Sequence, residues 1–174
     1  MGEIKTPRPV KLIVSAFAPG DGLLDEARAA SIAEWGAVDW ESELLPFDHT
    51  SYYQREFGPG LVRRIWAFER LIDPGALAAI KVRSNALEQR WAVDGKRAVN
   101  LDPGYVSMAK LVLATTKNHG HRIYLGQGIY AEVTLQYRDK AYRPWPWSYP
   151  DYATPEYCRL FEAIRRRYIE QLRA

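Results

Sequence analysis

Apolar positions cluster first at residues 10–17, VKLIVSAF, a β-branched run that predicts a strand. After the loop Ala18-Pro19-Gly20-Asp21-Gly22, residues 23–35 predict a helix, and Gly36 provides a natural stop. Residues 38–47, VDWESELLPF, alternate in their first half and predict a second strand. A polar loop, DHTSYYQREFGPG, then leads to a third strand over 61–72. Asp73-Pro74 pairs an N-cap with a proline at the first helical position, so a second helix is expected through residue 93. Asp94-Gly95 is a turn, and RAVNLD at 97–102 completes the series as a fourth strand. The order strand, helix, strand, strand, helix, strand is the ferredoxin-like βαββαβ pattern, here over 10–102.

The pattern then changes. Residues 103–153 read as an antiparallel β-meander extension. Asp102-Pro103-Gly104-Tyr105 forms a turn or helix cap, KLVLATTK at 110–117 is a strand, and Asn118-His119-Gly120 is a turn. Two strands, 121–125 and 129–138, flank Gly126-Gln127-Gly128, and the prolines of AYRPWPW confine 141–147 to a sheet edge. Thr154-Pro155 opens a last helix over 154–173, whose apolar stripe is Tyr157, Leu160, Phe161, Ile164, Tyr168 and Leu172. The expectation is an α+β chain forming a single domain over 1–174.

Alternation places Glu132 with Tyr130 and Thr134, on the face opposite Ala131 and Val133. A three-residue loop over 126–128 pairs Arg122 with Glu132 and Tyr124 with Tyr130, whereas a two-residue loop sets Ile123 against Glu132. A tight turn at 118–120 adds Thr116 to the row, giving Thr116, Arg122 and Glu132 across three strands, with His121 on the other face. An exposed cross-strand Arg–Glu pair is worth only ~0.2–1 kcal/mol. In a covered pocket the same row would bind a ligand. Arg122 would then contact an anion, Glu132 would accept a proton, Lys117 and His121 would stand at the rim, and Asn100 and Asp102 would be neighbours. The candidate catalytic set is Glu132, Asp102 and His121. The candidate ligand-binding set is Arg122, Lys117, Thr116, Asn100, Tyr124 and Tyr130.

Charge adds a direction to this picture. Residues 1–60 hold five Lys/Arg against ten Asp/Glu, and residues 61–174 hold nineteen against eleven. The basic C-terminal part favours an anionic, nucleotide-like or phosphate-bearing small molecule as ligand. The alternative is a non-enzymatic RNA- or protein-binding module that uses Trp145, Trp147, Tyr149 and Tyr152 beside Arg143, with Arg165, Arg166 and Arg167. The single cysteine, Cys158, permits no internal disulfide, which fits a reducing cytoplasmic setting, and on the last helix it reads as a small packed residue. Neither a signal-type leader nor a membrane-length apolar segment is expected. His119-Gly120-His121 alone does not make a metal site, no G-x-S-x-G elbow is present, and nothing in the pattern names a cofactor or sets an oligomeric state.

VNLDPGY at 99–105, LVLATTKN at 111–118, HRIYL at 121–125, GIYAEVTLQY at 128–137 and WSYPDY at 147–152 together resemble the bacterial domain-of-unknown-function family 4416. LPFDHTSYY at 45–53 and FGPGL at 57–61 fit the same pattern. The resemblance implies a stand-alone prokaryotic protein of this length, with no established activity and no catalytic residues to carry over. Some relatives bear a GTP-binding label. The chain has no G-x-x-x-x-G-K-[ST] P-loop, and in Thr116-Lys117-Asn118-His119 a histidine stands where a guanine-reading aspartate belongs. No G-x-G-x-x-G follows the first strand either.

Overall fold

The computed structural model describes residues 2–47 and 54–174, and the part of the predicted polar loop at 48–53 lies outside the described residues. The chain runs through β1 (Val10–Pro19), α1 (Asp21–Trp35), β2 (Val38–Glu41), β3 (Leu45–Pro46), α2 (Gln54–Phe57), β4 (Leu61–Ile72) and α3 (Leu77–Glu88). It continues through β5 (Asn100–Val106), β6 (Lys110–Thr115), β7 (Ile123–Gly126), β8 (Ile129–Arg138), β9 (Ala141–Pro144) and α4 (Pro155–Gln171). Among the described residues no helix is long and apolar enough to cross a membrane.

One nine-stranded sheet runs in the order β2-β4-β1-β5-β6-β8-β7, with β3 also beside β4 and β9 also beside β8. The first four strands reproduce the ferredoxin-like arrangement, because β1 and β2 run parallel with antiparallel β4 between them. Alternation in β1 explains the two layers. Leu12, Val14 and Ala16 pack with Leu24 and Ala27 of α1 and with Ile80 and Leu87 of α3. Ile13 faces the other way, into a core with Tyr157, Phe161 and Ile164 of α4. Lys11 lies on that second face, fully buried, and its ammonium donates to Asp39 (2.8 Å), the Phe68 carbonyl (2.9 Å) and Gln171 (2.8 Å). Burial pulls its pKa down, and the Asp39 carboxylate works against that pull.

The caps follow the sequence. Asp73 accepts from Gly75 N at 2.7 Å ahead of α3. Thr154 Oγ1 accepts from Tyr157 N at 3.3 Å and donates to Asp151 O at 2.7 Å. Thr154→Ala is expected to lower the unfolding free energy by about 1 kcal/mol, read from the urea midpoint. An unchanged midpoint would show that the cap does not hold α4.

Four predicted features differ. The expected strand at 38–47 is broken at Ser42, whose hydroxyl accepts from Ile65 N at 3.0 Å in place of a ladder bond. Asp102-Pro103-Gly104-Tyr105 is neither turn nor cap: β5 runs straight through it. Proline is tolerated there because position 103 aims its missing N–H away from β1, as argued below. Finally, β7 does not lie between β6 and β8. It pairs only with the outer edge of β8, end to end with β9, so Thr116 is not in a row with Arg122. The hairpin turn is the two-residue Gln127-Gly128, both at positive φ (55° and 75°), and Gly126 pairs with Ile129. A bulge at Leu125 then restores Tyr124 opposite Tyr130 and Ile123 opposite Ala131, the pairing that an unbulged two-residue turn would forbid.

Candidate functional site: a cavity between two diverging strands

β5 and β6 are paired at Val106 with Leu111, Tyr105 with Val112 and Gly104 with Leu113, and nowhere beyond. From Gly104 back towards Asn100 the strands separate. The exposed backbone of β5 must be satisfied by something else, and α3 supplies it. Leu101 N donates to Glu88 Oε1 (2.7 Å), while Leu101 O accepts from Lys81 Nζ (2.9 Å) and Ser84 Oγ (3.2 Å). Leu101 therefore points its peptide groups into the gap, and Pro103, two residues on, does the same with no donor to leave unpaired.

The gap opens into a cavity of about 690 Å³. Lys81, Asn85 and Glu88 line it from the α3 side, and Arg63, Asp151 and Tyr152 line it from the side that carries α4. Asn100 and Asp102 of β5, Thr115 of β6, Glu132 of β8 and the connecting residues Thr116 and Lys117 complete the wall between them. The cavity thus lies in the sheet where β5 and β6 part.

Its wall is a lattice of opposed charges. Lys81 donates to Asp102 Oδ1 at 3.1 Å, and Asn100 donates to Asp102 Oδ2 at 2.7 Å. Arg97 grips both oxygens of Glu56 (2.8 and 3.0 Å) and reaches Glu88 Oε2 at 3.1 Å. The Arg97 hydrogen bond holds the Glu56 carboxyl below its usual range. Burial pushes Glu88 above its usual range, against the pull of Lys81, Leu101 N and Arg97. Arg63 is paired with Asp151, its guanidinium lies 4.1 Å from the centre of the Phe47 ring, and Tyr152 stands at 5.6 Å. Its Nε is buried with no hydrogen-bond partner among the described residues.

Glu132 is not a solvated surface residue: it is 1% exposed. Oε2 accepts from Arg122 Nε at 2.9 Å and lies 3.0 Å from His121 Nε2, and Oε1 accepts from Thr134 Oγ1 at 3.2 Å. The Arg122 side chain is 5% exposed. Its remaining nitrogens donate to Lys117 O and to Tyr149 OH, both at 2.9 Å. Arg122 therefore ties the connection after β6, the strand β8 and the loop before α4 into one wall. His121 was expected on the face opposite Glu132, but it precedes β7 and escapes strand alternation, so its ring turns to the carboxylate.

Of the sequence-predicted residues, Asn100, Asp102, Thr116, Lys117 and Glu132 line the cavity. Arg122 and His121 stand behind Glu132, outside the lining. Tyr124 and Tyr130 pack on each other at 5.2 Å on the outer edge, with Tyr124 59% exposed, and take no part in the wall. Lys81, Glu88, Arg63, Arg97 and Asp151 were not foreseen. One signal was available for two of them: Lys81 and Glu88 recur with Leu77 and Ser84 at helical spacing, so they sit on the buried stripe of α3. Cys158 is buried, burial raises its thiol pKa, and it packs as the sequence suggested. Among the described residues no group of three or more His, Cys, Asp or Glu is placed to hold a metal ion.

A family model described as a domain of unknown function (DUF4416) matches residues 8–168. No curated protein and no solved structure matches the chain.

Proposed function

The chain belongs to the DUF4416 family, and from its geometry we propose that it binds an anionic, nucleotide-like or phosphate-bearing small molecule in the cavity between β5 and β6. The observation that carries this reading is a cavity of about 690 Å³ lined by buried charged groups. That volume falls in the range of small-molecule sites. A sheet that only needed stability would close such a gap with apolar side chains, since ionised groups are costly to bury.

Lys81 is the anion contact. Its ammonium carries three donors, of which two are engaged by Leu101 O and Asp102, leaving one for a ligand oxygen. This replaces Arg122 in that role, because Arg122 stands outside the cavity lining and each of its three nitrogens already donates within the wall. Asp102 and Glu132 each keep acceptor capacity for the N–H or O–H groups of the ligand, and Tyr149 brings an aromatic ring to the lining. The single buried cysteine supports a reducing, cytoplasmic setting.

The test is a thermal-shift and calorimetry series with inorganic phosphate and nucleoside mono-, di- and triphosphates. A ligand at 100 times its Kd should stabilise the protein by roughly 2.7 kcal/mol. Lys81→Met, which keeps the stem length, should weaken that ligand at least about tenfold, the size of one charged hydrogen bond. No shift with any of these compounds, or equal affinity in Lys81→Met, would overturn the reading.

A further inference from the structure

Arg122 and Tyr149 meet at the cavity wall in a hydrogen bond whose direction chemistry fixes. A guanidinium has only N–H donors and no acceptor, so in the 2.9 Å contact between them the phenol oxygen of Tyr149 accepts. Its own proton is left to be given elsewhere, and no group among the described residues takes it. Tyr149 lines the cavity and is 38% exposed, so a bound molecule can reach it. The hydroxyl is also near enough to Glu132 and Asp102, both cavity-lining carboxylates, for their charges to act on it.

The hydroxyl is held in place from both sides. Tyr149 O accepts from Ala153 N at 3.0 Å, Asp151 is paired with Arg63, and the Tyr149 ring lies 6.2 Å from that of Tyr152. Arg122 is fixed in turn by Glu132 Oε2 and by Lys117 O, both at 2.9 Å. Glu132 thus orients Arg122, and Arg122 orients Tyr149. A hydroxyl that accepts from a charged donor becomes a better donor itself, because hydrogen bonds in a chain polarise one another. Burial raises the Tyr149 pKa, against the pull of Arg122, and Glu132 and Asp102 add to the rise, so the proton stays on the oxygen.

We infer that Tyr149 is a second ligand contact, an obligate hydrogen-bond donor that selects an oxyanion oxygen, and that Arg122 is the residue that positions it. The inference rests on the cavity reading above. It adds a donor on the loop before α4 to the donor that Lys81 supplies from α3, so one ligand would be held by two separate elements. It also gives Arg122 a part in binding without any contact to the ligand. A phosphoryl oxygen satisfies the Tyr149 hydroxyl. An ammonium or amide N–H does not, because the oxygen it would seek already accepts from Arg122.

The test is calorimetry with inorganic phosphate and the adenosine mono-, di- and triphosphates on wild type, Tyr149→Phe, Arg122→Lys and the double variant, each shown to be folded by its urea transition. Tyr149→Phe keeps the ring and removes only the hydroxyl. It should weaken the probes that bind on the order of tenfold, the size of one hydrogen bond to a charged group. Arg122→Lys keeps a charge beside Glu132 but cannot fork to Tyr149 as well. It should weaken the same probes in the wild-type background and cost nothing further in Tyr149→Phe, which a general loosening of the wall would not give. Should Arg122→Lys fail to fold, Tyr149→Phe alone decides the contact. If Tyr149→Phe binds as wild type does while Lys81→Met weakens the probes, this inference fails and the cavity reading stands. If Arg122→Lys costs as much in Tyr149→Phe as in wild type, the positioning role of Arg122 is overturned. If no probe binds, or if neither Tyr149→Phe nor Lys81→Met weakens binding, both readings fail.

Discussion

Glu132→Ala should lower the unfolding free energy by about 3–5 kcal/mol, because it strands a buried guanidinium without its carboxylate. The Arg122 side chain is 5% exposed and Glu132 2%, so the pair is largely withdrawn from bulk water in the folded protein. Thr134 Oγ1 and the His121 ring lose a partner in the same step. A solvated cross-strand pair would instead cost no more than about 1 kcal/mol, so the size of the effect decides between the two situations. The double variant Arg122→Met, Glu132→Leu should be more stable than either Arg122→Met or Glu132→Leu alone, since it removes both charges from the interior. Urea unfolding of the four proteins provides the cycle. A loss of less than about 1 kcal/mol in Glu132→Ala would mean that the pair is solvated in solution and that Glu132 does not hold the wall.

What could be read from the sequence was what local rules govern. The ferredoxin-like half followed from caps, glycine stops and runs of period two, because each of those signals acts within a few residues. Glu132 opposite Arg122 followed from strand parity, and on that face Glu132 and Thr134 are buried. The order of β6, β8 and β7 did not follow, because hairpin geometry says how two strands meet but not which edge a third strand joins. The connection over 116–122 does not fold the chain back onto β6: a turn at 119–122, closed by Arg122 N donating to His119 O at 2.9 Å, leads it to the far side of β8.

The site was half legible for the same reason. A polar residue in an apolar strand is conspicuous, so Glu132, Asp102 and Asn100 stood out. Lys81 and Glu88 are charged residues of a helix, where a solvated face is the ordinary expectation. Only their coincidence with the stripe of Leu77 and Ser84 marks them as buried, and only the separation of β5 from β6 gives them something to do. Arg63 reads as one of several strand arginines until Asp151, far along the chain, is brought to it by the start of α4.

Gly104→Ala offers the second large effect, and its sign is the argument. Glycine inside a strand is ordinarily worse than alanine by about 0.5–1 kcal/mol, and Gly104 has no positive φ that would reverse this. On propensity alone the substitution should stabilise. The geometry says the opposite. A Cβ on Gly104 would run into the backbone oxygen of Val112 and lie 2.7 Å from Leu113 Cδ2, both on β6. The Val112 oxygen cannot retreat cheaply, because it belongs to the β6 backbone and Val112 pairs with Tyr105 one rung from where the strands part. Overpacking of this kind typically costs 1–3 kcal/mol, so a net loss of about that size is expected in the urea midpoint. Forcing β6 away at this rung also widens the gap that the cavity occupies, so affinity for a cavity ligand should fall with stability. If Gly104→Ala instead stabilises the fold, the close approach of β5 and β6 is not what sets the mouth of the cavity.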